Sequence, residues 1–121
     1  MRFLQLNGFS VRGDRMVDFQ RWVAENEERI KAAYSPGSEY GGIYTAVFSS
    51  EKGIGDFFWI DIVESYAALD RAAADGKDPE SAAAKLNAEL SEFYDPDRHA
   101  PWSKILLKSI VDATVMDVPV G

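Results

Sequence analysis

The chain has 121 residues, contains no cysteine and carries 13 basic against 20 acidic side chains, for a formal net charge of −7. This length predicts a single domain over residues 1–121, and the missing cysteine excludes disulfides, thiolate metal sites and cysteine nucleophiles. The acidic balance opposes binding to nucleic acids and to anionic membranes, since both repel a negative surface. Without a long apolar segment or a signal-peptide pattern at the start, we expect a cytoplasmic protein.

The first third of the chain predicts a strand and a long amphipathic helix. Residues 2–11 alternate with the period of a strand. Over 14–34, apolar residues recur at steps of three, four and seven, which is typical of a helix with one buried side. Asp14 is the expected N-cap, and "SPGS" at 35–38 is expected to end the helix.

The middle of the chain predicts two strands, 39–50 and 56–64, both rich in aromatic and β-branched residues. They are joined by "SSEKGIG", a hairpin-like connection that contains two glycines. The second strand carries apolar side chains on both faces, and Asp61 shares one of these faces with Phe57, Trp59 and Val63.

The last third predicts two short helices and a final strand. Ser65 is expected to cap a helix that Gly76 ends, and Asp78 with Pro79 is expected to begin the next one. The polar segment "DPDRHAPW" then leads to a strand over 102–117.

The resulting order, β-α-β-β-α-(α)-β, predicts a ferredoxin-like α+β fold with a four-stranded antiparallel sheet and helices on one face. The period of two divides the strand side chains into two sets. One set is expected to face the helices: Leu4, Leu6, Ile105, Leu107 and Val111. The other set combines aromatic with polar side chains: Phe3, Gln5, Asn7, Phe9, Tyr44, Trp59, Asp61, Trp102, Lys104 and Lys108.

The aromatic set is expected to lie on the sheet face that no helix covers. So many exposed rings would form an apolar patch larger than a monomer usually tolerates. Burying five large rings is worth on the order of 10 kcal/mol, which is comparable to the stability of a whole domain. A second copy of the same sheet is the economical cover, so we expect a sheet-to-sheet homodimer.

Three segments carry a resemblance to a known superfamily: "VRGDRMVDFQRWV", "GGIYTAVF" and "WIDIVESYAALDRA". With them the chain resembles the dimeric α+β barrel superfamily, and within it NIPSNAP-like and antibiotic-biosynthesis-monooxygenase-like proteins. The resemblance implies a pocket between sheet and helices, in a group that includes cofactor-independent oxygenases, haem-degrading enzymes and muconolactone isomerases. It also implies a cleft with an Asn, a Trp and a Tyr, which Asn7, Trp59 and Tyr44 match.

Asp61 and His99 are the candidate acid–base residues. The apolar neighbours of Asp61 should desolvate its carboxyl, which raises the pKa and suits proton transfer. The alternative is an ion pair with Lys104 or Lys108, which lowers that pKa. His99 is the only histidine, and it serves as a general base or haem ligand, or else as a surface loop residue.

Asn7 is a candidate for orienting an oxyanion, with satisfaction of backbone groups as the alternative. The rings of Phe9, Tyr44, Trp59 and Trp102 suit a planar aromatic ligand, with core or interface packing as the alternative. A metal site is not expected, because one histidine and no cysteine supply too few ligands.

Two main functions therefore stay open, with haem binding as a third. The first is a small dimeric oxygenase or isomerase without a bound metal that acts on a hydrophobic, aromatic molecule. The second is a non-catalytic ligand-binding or stress-response dimer. A closed, apolar cavity that contains Asp61 with a raised pKa favours the first function, whereas a filled core with Asp61 paired to a lysine favours the second.

Overall fold

The computed structural model describes residues 2–51, 55–97 and 102–111. These ranges contain four strands and three α-helices, with one turn of 3-10 helix, Gly13–Arg15, before the first helix. In chain order they are β1 Phe3–Phe9, α1 Met16–Ala32, β2 Ser38–Thr45, β3 Phe57–Val63, α2 Tyr66–Lys77, α3 Ala82–Leu90 and β4 Trp102–Lys108. None of these helices is long and apolar enough to cross a membrane.

The strands form one antiparallel sheet in the order β2-β3-β1-β4. Phe3 lies opposite Val63 on one side and Lys108 on the other, so β1 is paired along its whole length. The four-stranded α+β arrangement predicted from the order of elements is confirmed.

All three helices pack on one face of the sheet, which we call the cavity face. Its residues on the two central strands are Phe3, Gln5, Asn7, Phe9, Phe57, Trp59, Asp61 and Val63. At one end Phe9 is fully buried against Phe19 of α1 and Leu90 of α3. At the other end Phe3 packs with Ala68 of α2. Burial of these rings between sheet and helices stabilises the packing of the helices at both ends of the sheet.

The opposite face, which we call the open face, is covered by no described helix. It carries Leu4, Leu6, Tyr44, Phe58, Ile60, Ile62, Ile105 and Leu107. Ile105 and Leu107 on the edge strand remain 49% and 45% exposed. The expected assignment of the two sets is therefore wrong: the helices cover the aromatic and polar set and leave the aliphatic set open. The period of two sorts side chains between faces but carries no information on which face the helices choose.

Tyr44 is the exception within the aromatic set, because it lies on the open face. The pairing of β2 with β3 shifts by one residue between Tyr40 and Ile43, so that Tyr40 lies opposite Asp61 whereas Tyr44 lies opposite Phe58. Such a bulge reverses the alternation beyond it. Gly42 has φ +107°, a conformation that glycine adopts without strain.

Several predicted helix ends also differ. The Ser65 cap is confirmed, since its hydroxyl accepts from the Ala68 amide. No side-chain cap precedes α1, so the Asp14 prediction is wrong. Ser81, rather than Asp78, caps α3, and the Asp78 carboxylate instead accepts from the Glu80 amide in a preceding turn.

Two predicted ends were placed at the wrong residue. Helix α2 continues through Gly76 to Lys77. Strand β4 ends at Lys108, where the prediction extended it through residue 117. Residues 112–117 lie outside the described part of the chain.

Candidate functional site

A cavity of about 770 Å³ lies between the cavity face and the helices. Its floor is formed by the centre of the sheet: Gln5, Asn7, Trp59, Asp61, Val63 and Lys104. Small residues lie over this floor beside the larger Ile30, Leu69 and Leu86: Ala72, Ala73 and Gly76 of α2, Ala83 of α3, and Ala33 just after α1. These small residues extend less far toward the sheet than the aromatic residues that pack tightly at either end.

The carboxyl of Asp61 lies on this floor and accepts two hydrogen bonds. The Tyr34 hydroxyl donates to one carboxylate oxygen, and Asn7 Nδ2 donates to the other at 2.9 Å. Tyr34 comes from the residues that follow α1, and Asn7 from β1. Asp61 is thus held from both sides by neutral donors.

Two further hydrogen bonds fix these donors. Trp59 Nε1 donates to the Tyr34 hydroxyl at 2.6 Å, so this hydroxyl accepts from one side chain and donates to another. Gln5 Nε2 donates to Asn7 Oδ1 at 2.9 Å, which sets the orientation of the Asn7 amide. The five side chains form one continuous network with Asp61 as the final acceptor.

Burial raises the pKa of the Asp61 carboxyl above its ordinary value of 3.8, and the hydrogen bonds from Tyr34 and Asn7 and the charge of Lys104 act in the opposite direction. The folded protein therefore holds a proton on this carboxyl over a pH range in which the unfolded chain has released it. This contribution to stability is fully present below the ordinary pKa and is lost as the pH rises through the raised one.

Tyr34 and Tyr40 stay protonated at neutral pH. Burial and the negative charge of Asp61 both raise the pKa of the Tyr34 hydroxyl. Burial and a hydrogen bond to Glu27 raise that of Tyr40. The Tyr40 ring packs edge-on against Trp59, so two tyrosines and a tryptophan surround this side of the carboxyl.

The structure brings together three of the predicted site residues: Asn7, Trp59 and Asp61. It separates the others from them. Phe9 is fully buried in the packed end of the core and does not line the cavity. Tyr44 lies on the open face, 57% exposed, and so is not the tyrosine of the cleft.

Two predicted site residues remain, His99 and Trp102. His99 is outside the described residues. Trp102 pairs through its backbone with Phe9. Their predicted roles as a base and as an aromatic contact stay predictions.

Tyr34 is the site residue that the sequence analysis missed. It lies four residues after Ile30 and therefore on the same side of the helical stripe, which the pattern places toward the sheet. The predicted helix 14–34 ended on this residue, and its position at the end of the helix concealed its contact with the cavity.

The cavity meets the first discriminating outcome in part: it contains Asp61 with a raised pKa, but it is open to solvent and its floor is partly polar. Asp61 forms no salt bridge within the described part of the chain, and Lys104 affects it only at longer range. The space above it is open rather than filled by side chains. An ion pair of Asp61 with Lys104 or Lys108, the alternative that the sequence left open, is therefore not formed among the described side chains of one chain, and such a pair across a dimer stays a prediction.

The described lining does not fit a haem. The common axial ligands are histidine, thiolate, methionine and tyrosinate. Among the described lining residues only Tyr34 and Tyr94 belong to these types, and the Tyr34 hydroxyl is already engaged with Asp61 and Trp59. Burial raises the pKa of Tyr94, which opposes the tyrosinate form that iron would require.

For a metal ion, no group of three or more candidate ligand side chains occurs in the described ranges.

Solved structures share this architecture over nearly the whole chain. A candidate antibiotic biosynthesis monooxygenase from Nitrosomonas europaea matches with a TM-score of 0.60 and 11% identity, over 90% of each chain. A NIPSNAP family protein from Agrobacterium tumefaciens matches with a TM-score of 0.57 and 16% identity, over 89% of this chain and 92% of its own. The chain therefore has the fold of these antibiotic-biosynthesis-monooxygenase-like and NIPSNAP-like structures.

A third structure with this fold is a haem degrader from Mycobacterium tuberculosis, with two haems bound in its active site. Its TM-score is 0.50 with 14% identity, over 98% of this chain and 99% of its own. No protein-family model matches the chain, and no curated protein matches it by sequence. The likeness to the superfamily is therefore one of fold, as the sequence segments predicted.

Proposed function

We propose that this protein is a homodimeric enzyme that binds a small hydrophobic, aromatic molecule in the cavity and moves a proton on it through Asp61. The observation that carries the proposal is the placement of a desolvated carboxyl, free of any ion pair in the described chain, on the floor of an open cavity. The neighbouring rings of Trp59 and Tyr34 suit a planar ligand.

The network around Asp61 supports acid–base chemistry. Each carboxylate oxygen accepts one hydrogen bond and keeps a further lone pair for a substrate proton. Burial raises the pKa and so makes the carboxylate a stronger base than an exposed aspartate. Tyr34 and Asn7 hold the carboxyl in place during the transfer, because their own partners fix them.

Proton abstraction is the step that an isomerase and a cofactor-independent oxygenase have in common. In an isomerase, Asp61 takes a proton from one carbon and returns it to another carbon of the same molecule, so no co-reactant is needed. In an oxygenase, the carbanion passes electrons to dioxygen. An activated CH₂ then becomes C=O, and the second oxygen atom leaves as water with the two hydrogens.

The open face supports the homodimer. Its apolar side chains lie on the side of the sheet away from the helices, and those of β4 are half exposed. A second open face offers the same shape and the same chemistry, which two-fold pairing requires. The pairing that we propose therefore uses the aliphatic set rather than the aromatic set.

A non-catalytic ligand-binding dimer is the second candidate. It is favoured by the completeness of the network: Asp61, Tyr34 and Asn7 satisfy one another without any ligand. A purely structural role would leave the carboxyl as an acceptor that holds Tyr34 and Asn7 in place.

Exchange of a carbon-bound proton separates these two candidates. The probe is 2-tetralone, a planar aromatic ketone with an acidic CH₂ group, whose exchange in D₂O is followed by proton NMR. We expect the wild-type protein to accelerate exchange and Asp61→Asn to lose about 100-fold or more of that acceleration, since general bases contribute roughly 10²–10⁴-fold. Asp70→Asn, which changes an exposed carboxylate on α2, is the matched control and should exchange like the wild type.

Calorimetric binding of 2-tetralone completes the experiment. Binding without acceleration in either protein would favour the ligand-binding candidate. Acceleration that survives in Asp61→Asn would show that another group is the base. Absence of binding would overturn the proposal that this cavity is the site.

A further inference from the structure

The charged residues that line the cavity are arranged unevenly. Within the described lining they are Asp61, Lys77 and Lys104. Asp61 is partly buried on the floor, whereas both lysines are exposed and therefore lie at the rim. In a protein with 20 acidic against 13 basic side chains, the exposed charged groups of the described lining are thus two ammonium groups. Asp75 lies next to the lining, where its carboxylate accepts a hydrogen bond from the Ser35 hydroxyl.

Lys104 is the more informative of the two lysines. It lies on the edge strand β4 directly opposite Asn7, so its side chain emerges on the cavity face beside the network. It forms no salt bridge within the described residues. The charge of Lys104 acts on Asp61 only at longer range, without a contact, so the ammonium group at the mouth of the cavity is available to an anionic group of a ligand.

We infer that the cavity takes an amphipathic monoanion, in which a carboxylate binds Lys104 at the rim and an aromatic body lies against Trp59 and Tyr34. This inference rests on the proposed function, because it names the class of molecule that the same site takes. The reverse orientation would bring the ligand carboxylate next to that of Asp61, and like charges repel in a partly desolvated site.

The described lining contains no arginine, so it lacks the guanidinium fork that binds a phosphate bidentately. It includes the C-terminal end of α2, at Gly76 and Lys77, where the helix dipole disfavours a dianion, and Ala83 in the first turn of α3, where the dipole favours one. Titration with 2-naphthyl phosphate therefore distinguishes a phosphate from a carboxylate.

Two naphthalene compounds of equal ring size test the inference by isothermal titration calorimetry. They are 2-naphthoate, which carries the carboxylate, and 2-naphthalenemethanol, which carries a neutral hydroxyl. We expect the wild type to bind the acid about three to ten times more tightly, an effect that falls with added salt because the pair is exposed to solvent. Lys104→Met should remove this preference and change binding of the alcohol less than two-fold.

Lys85→Met is the matched control, since Lys85 is an exposed lysine of α3 that does not line the cavity. It should retain the preference for the acid. Circular dichroism establishes that each variant is folded, and Lys104→Gln replaces Lys104→Met if the latter is not.

The outcomes separate this inference from the proposed function. Equal binding of acid and alcohol by the wild type, or a preference that survives in Lys104→Met, overturns the inference and leaves the cavity as an aromatic site. Tenfold tighter binding of 2-naphthyl phosphate than of 2-naphthoate also overturns it. If neither naphthalene compound binds, the inference and the proposed function both fail.

Discussion

The two faces of the sheet differ in the kind of apolar side chain they carry. The cavity face carries aromatic residues, and the indole N–H of one of them, Trp59, is linked to the Asp61 carboxyl through the hydroxyl of Tyr34, which follows α1. The open face carries mainly Leu and Ile, which have no polar atoms to satisfy. A face whose polar atoms are hydrogen-bonded to one another can border an open cavity. An aliphatic face is stabilised most when its apolar surface is buried against another apolar surface.

Neighbouring residues of one strand therefore lie on different faces and have different roles. Along β3 the odd-numbered residues Trp59, Asp61 and Val63 line the cavity and Phe57 packs in the core beside it, whereas the even-numbered residues form the surface proposed for pairing. Substitutions at adjacent positions should therefore damage different properties of the protein.

The largest expected effect is at Phe57 and Phe58. Phe57 is buried between Phe9 and Phe19, so Phe57→Ala should lower the free energy of unfolding by about 3–5 kcal/mol. Phe58→Ala truncates a ring on the open face and should mainly weaken dimerisation. Urea denaturation and sedimentation equilibrium measure the two quantities. The assignment of faces fails if Phe58→Ala destabilises the fold as much as Phe57→Ala and leaves the dimer intact.

A charge on the open face should have the next largest effect. Ile60→Asp places a carboxylate at the centre of the proposed interface, where it cannot find a partner, and we expect the dimer to dissociate at least 100-fold more readily. Light scattering should then give the 13.5 kDa monomer in place of a particle of twice that mass.

Ala67→Asp is the control for this change, because Ala67 is exposed on α2, on the other side of the sheet. It should remain dimeric. A wild-type protein that is monomeric at micromolar concentration would remove the proposed dimer altogether.

A smaller effect is expected for two tyrosines on opposite sides of the sheet, Tyr34 at the cavity and Tyr44 on the open face. Tyr34→Phe removes the acceptor of Trp59 Nε1 and a donor to Asp61, and should lower the free energy of unfolding by about 1–3 kcal/mol. Tyr44→Phe removes a hydroxyl from the exposed open face and should change the free energy of unfolding by less than about 0.5 kcal/mol. Chemical denaturation of both variants measures the difference, and equal losses would contradict the network.

The sequence predicted the order of elements, the four-stranded sheet and the grouping of Asn7, Trp59 and Asp61, because alternation and helical periodicity are local properties. It did not predict which face the helices cover, since that depends on how whole surfaces fit together. Nor did it place Tyr44 correctly, although the adjacent Gly41 and Gly42 within a strand are a known signal of a bulge.

The cavity depends on small residues in α2 and α3, whose effect on packing is hard to predict from one sequence. Runs of alanine in α2 and α3 are good helix formers, and the same small side chains leave the centre of the sheet uncovered. The large residues at the ends of such a helix determine whether its alanines contact the sheet or leave a cavity above it.

An NMR titration of the Asp61 Cγ in the ligand-free protein measures whether this carboxyl is a desolvated acid–base group on the floor of the cavity. We expect a midpoint above 3.8, and a further upward shift in Tyr34→Phe because a hydrogen bond that favours the charged carboxylate is lost. A midpoint at or below 3.8 in the wild type would mean that the carboxylate is stabilised as an ordinary structural acceptor, and it would contradict the proposed chemistry.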